Sequence, residues 1–176
     1  MQWLCPQEIE LDLDVSSRWE ALRAVSAMIE RSQHLAAPPV FRALWRRELA
    51  ASTGVGNGFA IPHARIPGIT EPVTAYVRLK APVDFAAPDA RRVSEFFVIL
   101  VPDDDANERN LLLLALVAEA FSDREFRARL AAAVSARDAR SVFAQWIDGK
   151  RLVEMEHDAY RERAALQPRT GNSARA

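Results

Sequence analysis

The chemistry available to this chain is concentrated in Ser52-Thr-Gly-Val-Gly-Asn-Gly-Phe-Ala-Ile-Pro-His63. Gly54, Gly56 and Gly58 alternate, which lets the backbone approach a ligand closely and turn N–H groups toward an anion. Phe59-Ala-Ile61 reads as a short apolar strand, and Pro62 fixes the chain direction before His63. An unprotonated imidazole nitrogen is a nucleophile, and the ordinary histidine pKa of about 6.5 leaves one free near neutral pH. An imidazole beside an anion-binding loop suits phosphoryl transfer, which asks mainly for positioning and for donors around the equatorial oxygens. The same pattern also serves a plain turn followed by a packed histidine, and spacing alone leaves both readings open.

Sharper alternatives fail on the residues. A dinucleotide fingerprint starting at Gly54 and Gly56 needs a glycine where Phe59 stands, and no Gly-Lys-Ser/Thr follows to make a P-loop. There is no Gly-x-Ser-x-Gly nucleophile elbow. His34 falls at a helix end and is expected to terminate it, while His157 sits in a charged stretch. Three histidines this scattered suggest no metal site, and the single Cys5 permits neither an internal disulfide nor a cysteine-based zinc site. No cofactor is implied.

Charge excludes other classes. Lys+Arg is 23 and Asp+Glu is 24, so the basic excess of a nucleic-acid protein is missing, as is a polybasic membrane anchor. The longest apolar run, Leu111 to Ala118, is far short of the ~20 residues that span a bilayer. Met1-Gln-Trp-Leu-Cys-Pro6 has no charged region leading into an apolar stretch, so a cytoplasmic location is expected. At 176 residues the length suits one domain.

The elements that must position His63 follow from periodicity. Ser17-Arg-Trp-Glu20 has capping-box spacing and opens a helix over 18–34. Pro38-Pro39 starts a second helix, with Val40, Phe41, Leu44 and Trp45 on its apolar face, ending before Ser52. Val73, Ala75, Val77 and Leu79 alternate with Thr74, Tyr76, Arg78 and Lys80, which predicts a half-buried strand. Val93–Val101 is apolar on both faces and predicts a central strand. Asp103-Asp-Asp105 reads as the start of a helix running through Leu111–Phe121. Ser122-Asp-Arg-Glu125 predicts a second capping box and a short helix to about 132. Ser135 caps a last helix that Gly149 ends, and beyond Tyr160 a polar, disordered tail is expected. Helices and strands mix without a strict βαβ rhythm, giving an α/β (α+β) class with a mixed central sheet flanked by helices.

Arg47-Glu48 followed by the Ser52–His63 string resembles the IIA domain of the phosphoenolpyruvate-dependent phosphotransferase system. The likeness is to the fructose/mannitol class (type 2), which includes the stand-alone nitrogen-related IIA protein. It continues through Val83-Asp-Phe85, Val98-Ile-Leu-Val-Pro102 and the Leu111–Phe121 helix, covering roughly residues 15 to 148. The resemblance implies the type-2 IIA fold over 1–150, with 151–176 as a largely disordered extension. It implies a phosphohistidine carrier in which His63 accepts a phosphoryl group from a histidine phosphocarrier of the HPr or NPr type. Arg47 matches an arginine near that site and would neutralise phosphate oxygens. Ser52 and Thr53, with the amides of Gly56 and Gly58, are our own inference as further phosphate donors. Many members carry a second histidine where alignment on Leu116-Val-Ala118 puts Asn110. Asparagine donates a hydrogen bond but carries no charge, so stabilisation there should be weaker and less pH-dependent. Ala64-Arg65 also replaces the more usual Gly-Lys pair. With no IIB, IIC or fused HPr-like segment, the expected role is the nitrogen-related regulator, whose phosphorylation state is read by a downstream target protein. The alternatives are a sugar-specific IIA subunit that passes phosphate to a IIB domain, and a IIA-like binding module that is never phosphorylated.

Overall fold

Two apolar runs form the centre of a six-stranded sheet. The computed structural model of the chain describes residues 4–103 and 107–150, without the side chains of 107–110. Strand β5 (Val73–Val83) lies antiparallel to β6 (Val93–Pro102), with Thr74 opposite Ile99 and Val77 opposite Phe96. Strand β1 (Glu8–Leu13) adds parallel to β5. On its other side β6 takes two short parallel partners in succession, β3 (Phe59–Ala60) and β4 (His63–Ile66), and β2 (Gly54–Gly56) pairs antiparallel with β3. The β3–β4 break has a local cause. Pro62 has no N–H, and the Ile61 N–H turns away to the Thr53 carbonyl at 2.9 Å. The ladder survives through Ile99, whose N–H reaches the Pro62 carbonyl at 3.0 Å.

Helices cover both faces. Against one face lie α1 (Arg18–Gln33) and α2 (Ala37–Ala50), packing Leu22, Ile29, Val40 and Leu44 on Val77, Phe96, Val98 and Leu100. Against the other lie α3 (Asn107–Ser122), α4 (Arg124–Ala131) and α5 (136–150), which surround Tyr76, Phe97 and Ile99. Phe96 and Phe97 point into different cores, as a strand buried on both faces requires. The expected mixed sheet flanked by helices is therefore present.

Several local expectations need correction. The first half of β5 is buried on both faces, with Thr74 and Tyr76 as inaccessible as Val77, and the expected outer face holds at Arg78 and Lys80 alone. At 74 and 76 the alternating polarity marks hydrogen-bond capacity rather than exposure. The Tyr76 hydroxyl donates to Glu95 Oε2 at 3.0 Å, and the Thr74 N–H and hydroxyl both donate to Gln7 Oε1. Ser17 does cap α1 by accepting from the Glu20 N–H, but the Glu20 carboxylate accepts from Ser16, one residue further back than a capping box has it. Ser122 is not the cap of α4. Its hydroxyl donates back to the Ala118 carbonyl as the last turn of α3, and Asp123 accepts from the N–H groups of Glu125 and Phe126 instead. Gly149 does not end the last helix, which runs through 150, since glycine weakens a helix without forbidding it. α3 begins at Asn107, and 104–106 lie outside the described residues, as does the 151–176 extension. His34 ends α1 as expected, in the left-handed conformation with its N–H on the Glu30 carbonyl.

The second core closes on Phe143 of α5, which is fully buried and meets the rings of Tyr76, Phe97 and Phe126 at 5.4, 5.7 and 5.3 Å. Phe143→Ala should lower stability by about 3–5 kcal/mol in urea unfolding. A loss below about 1 kcal/mol would mean that α5 is not part of the cooperative core.

Candidate functional site

Two adjacent residues near the end of α2 hold the two sides of one imidazole. Arg47 Nε donates to His63 Nε2 at 3.0 Å, and Arg47 Nη1 donates to the Ala51 carbonyl at 2.7 Å. His63 Nδ1 lies 2.8 Å from the Ile61 carbonyl oxygen. A carbonyl can only accept, so Nδ1 carries the ring proton and Nε2 keeps its lone pair, directed at Arg47. Burial pushes the His63 pKa below its ordinary value; the Ile61 carbonyl opposes this in part, and the Arg47 charge adds to it. The imidazole is therefore neutral and nucleophilic at neutral pH.

Glu48, the next residue along the helix, points into the protein. It is 2% exposed, and its carboxylate accepts from the Thr53 N–H at 3.0 Å, from the Thr53 hydroxyl and from Arg18 Nη1 at 3.3 Å. Thr53 in turn accepts the Ile61 N–H through its carbonyl, and the Ile61 carbonyl orients His63. A continuous chain thus runs from the Glu48 carboxylate through two backbone residues to Nδ1.

His63 opens into a cleft of about 560 Å³ that is also lined by Arg46, Arg47, Arg65 and Asp103. Arg65 Nη1 donates to the Asp103 carbonyl at 3.3 Å, which holds the side chain at the cleft rim. Three guanidinium groups and a neutral imidazole, with Asp103 at the rim, line a cleft whose planar paired donors suit a tetrahedral anion. Sequence reasoning had Arg47 but not Arg46, and it read Arg65 only as a substitution. The signals were present: Arg46 precedes Arg47, and Arg65 follows His63 by two residues on a strand. Among the described residues, no group of three His, Cys, Asp or Glu side chains could hold a metal ion.

The other expected phosphate donors do not join this cleft. The Ser52 hydroxyl donates to the Phe85 carbonyl at 2.6 Å and accepts from the Gly54 N–H. The Thr53 hydroxyl belongs to Glu48. Gly56 and Gly58 take positive φ, at 91° and 78°, in the β2–β3 turn. There the Asn57 N–H donates to Asp89 Oδ2 at 2.8 Å, and the Gly58 carbonyl accepts from Ser94. The glycine segment does turn its backbone to an anion, but that anion is the chain's own Asp89. Gly54 is glycine for space, since a Cβ there would stand 2.7 Å from the Ala87 Cβ. Asn110 lies in the first turn of α3, and its side chain falls outside the described residues.

Residues 3–146 match the family described as "Phosphoenolpyruvate-dependent sugar phosphotransferase system, EIIA 2". A nitrogen regulatory protein of Pseudomonas aeruginosa is 37% identical over 136 residues, which cover 77% of this chain and 88% of that protein. The crystal structure of the nitrogen regulatory protein IIA-Ntr from Neisseria meningitidis superposes with a TM-score of 0.72 at 36% identity, covering 80% of this chain and 94% of that one. The fold is also shared with the mannitol enzyme IIA of Escherichia coli, solved in complex with phosphorylated enzyme IIB. That likeness has a TM-score of 0.64 at 16% identity, covering 78% of this chain and 94% of that one.

Two outcomes follow from the geometry. Arg47→Ala removes a nearby positive charge and uncovers the ring, so the His63 pKa read from imidazole proton shifts should rise; an unchanged pKa would mean the guanidinium does not lie against Nε2. In the native chain the folded-state pKa lies below the unfolded one, so the stability carried by neutral His63 is complete above about pH 6.5. It should fall away as the pH drops from there through the depressed folded value. Glu48→Ala should cost about 3 kcal/mol in urea unfolding, the low end for breaking a buried pair because Arg18 keeps some solvent. A cost near zero would remove Glu48 from the support of the site.

Proposed function

The chain belongs to the EIIA type-2 family of the phosphoenolpyruvate-dependent phosphotransferase system, and we propose that it carries a phosphoryl group on Nε2 of His63 as a regulatory IIA protein. The family assignment makes it a phosphoryl-transfer component of that system. The observation that supports His63 as the acceptor is its bonding: one ring nitrogen is tied to a carbonyl, and the other presents a lone pair to a cleft of arginines.

The transfer step balances on these residues. Nε2 attacks the phosphorus of a phosphohistidine on a donor of the HPr or NPr type, in line with the bond to the donor nitrogen. That bond breaks, and its electron pair returns to the donor imidazole. Arg47 Nε must leave Nε2 as the new N–P bond forms, and its natural destination is a phosphoryl oxygen. Arg46 and Arg65 offset charge on the remaining oxygens. Nδ1 keeps its proton throughout, held by the Ile61 carbonyl, so the ring becomes a phosphorylated imidazolium. When the group moves on, the leaving ring is a neutral imidazole, which keeps the carried phosphoryl group transferable. By the resemblance to the family, Asn110 would supply an uncharged hydrogen-bond donor where many members have a second histidine.

The likeness to nitrogen regulatory proteins at 37% and 36% identity supports a regulatory role, with the phosphorylation state read by a downstream protein in the cytoplasm. The mannitol IIA solved with phosphorylated IIB supports the second reading, a sugar-branch subunit that delivers its group to a IIB domain. Transfer onto an added IIB domain separates the two.

The full chain should be incubated with phosphoenolpyruvate, the first enzyme of the relay and its histidine phosphocarrier, with His63→Ala alongside, and read by intact mass. The expected result is a gain of one acid-labile phosphoryl group that the variant lacks. No gain from a charged donor would make the chain a docking module, and labelling of the variant would move the acceptor elsewhere.

A further inference from the structure

Two cavities that share Ala24 and Ala27 lie between α1 and the segment around β1, at the edge of the sheet. Neither shares a lining residue with the His63 cleft. In the larger, of about 410 Å³, the charged groups are already engaged. Asp14 accepts from Lys80 Nζ at 2.7 Å, the Glu20 carboxylate accepts from Ser16, and Arg23 lies 4.9 Å from the centre of the Trp19 ring. The smaller, of about 250 Å³, differs in this respect. Glu10 and Arg31 both line it and both are exposed, yet among the described residues neither makes a hydrogen bond or an ion pair, even with the other.

Position in the fold brings these two charges to one cavity. Glu10 sits opposite Val77 in the β1–β5 register, and its neighbours Ile9 and Leu11 pack into the other core, so its side chain falls on the α1 face of the sheet. Arg31 follows Ala27 by one turn of α1. The negative end of the helix dipole favours a cation there and leaves the guanidinium donors unused. Between the two charges the floor is apolar, made by Leu13, Val25, Met28 and Val77.

We propose that this cavity binds a free α-amino acid with an aliphatic side chain. The Arg31 fork takes the α-carboxylate with its paired donors, and the Glu10 carboxylate accepts from the α-ammonium. The aliphatic side chain enters against Val25, Met28 and Val77. Three features set this ligand class. Spare charges of opposite sign complement a zwitterion rather than a plain anion or cation. The floor offers no polar side chain, so a polar ligand side chain would lose its water without a partner. Cavities that enclose drug-sized molecules begin at about 300 Å³, so this one suits something smaller. Glu10 belongs to the edge strand and Arg31 to the helix, so the bound ligand ties β1 to α1 and stabilises the folded chain by mass action. The site stands whether or not His63 is the phosphoryl acceptor.

The test titrates the full chain, isotope-labelled at its methionine and valine methyl groups, with L-leucine, L-isoleucine and L-valine, and follows it by methyl NMR. Saturable shifts at Val25, Met28 and Val77 are expected, with a dissociation constant of roughly a millimolar or below. Isocaproate lacks the ammonium of leucine and isoamylamine lacks its carboxylate, so each should bind roughly tenfold more weakly than leucine. Glu10→Gln and Arg31→Gln should each weaken leucine binding roughly tenfold as well. Both positions are exposed, and circular dichroism of each variant verifies its fold. Leucine should also raise the thermal unfolding midpoint of the native chain more than that of either variant. Shifts that do not saturate, shifts confined to other methyl groups, or binding indifferent to both variants overturn the site. Equal binding of the singly charged analogues overturns the zwitterion, and tighter binding of L-glutamate or L-lysine than of leucine overturns the aliphatic class.

Discussion

A carboxylate buried as deeply as Glu48 must find its partners inside the protein, and the geometry of the site follows from where it finds them. Arg18 approaches from α1, and the Thr53 N–H and hydroxyl approach from the loop that leaves α2. The desolvation of an ionised group is offset only when such contacts hold together. That requirement fixes the loop at Thr53, which fixes the Ile61 N–H, whose carbonyl then fixes the tautomer of His63. Arg47 is the next residue on the same helix, so one turn of α2 sets both ring nitrogens.

The electrostatics of the cleft follow from that arrangement. The cleft sets a neutral ring among three arginines and Asp103, so the cationic groups that line it are guanidiniums rather than the ring itself. Protonation is disfavoured by burial and by Arg47 alike, so the ring stays nucleophilic where a solvent-exposed histidine would be partly protonated. The resting contact between Arg47 Nε and Nε2 also occupies the lone pair that the proposed transfer would use. Under the proposed transfer that guanidinium would cover the nucleophile at rest and follow the incoming phosphoryl group, so one side chain would span both states.

Much of this was legible in the residues. The two-sided apolar character of Phe96-Phe-Val-Ile-Leu-Val101 placed β6 at the centre of the sheet, and the unusual Ser52–His63 string singled out the histidine. The errors share one physical origin. Composition reports what a side chain can bond to, not what it does bond to. Ser52 and Thr53 were credible phosphate donors by type, yet Phe85 and Glu48 claim their hydroxyls, and the turn that carries Gly56 and Gly58 gives its Asn57 N–H to Asp89, partners up to 33 residues away in sequence. Tyr76 looked solvent-facing because α3–α5 cover it from a distant part of the chain. Strand β1 was missed although Ile9, Leu11 and Leu13 alternate with acids, because the segment is only six residues long and pairs with β5 far along the chain.

Position in the sheet accounts for how a strand and a helix meet at the His63 cleft. Among the described residues β4 pairs with β6 alone, and α2 packs against it. Residues 63–66 can therefore present His63 and Arg65 to a space that α2 also borders, while Ile66 anchors the strand in the core. Helix and edge strand each supply arginines to the cleft, Arg46 and Arg47 from one and Arg65 from the other. A phosphoryl group on His63, as proposed, would place its charge among side chains drawn from both elements, so the cleft could answer to it without a change of fold.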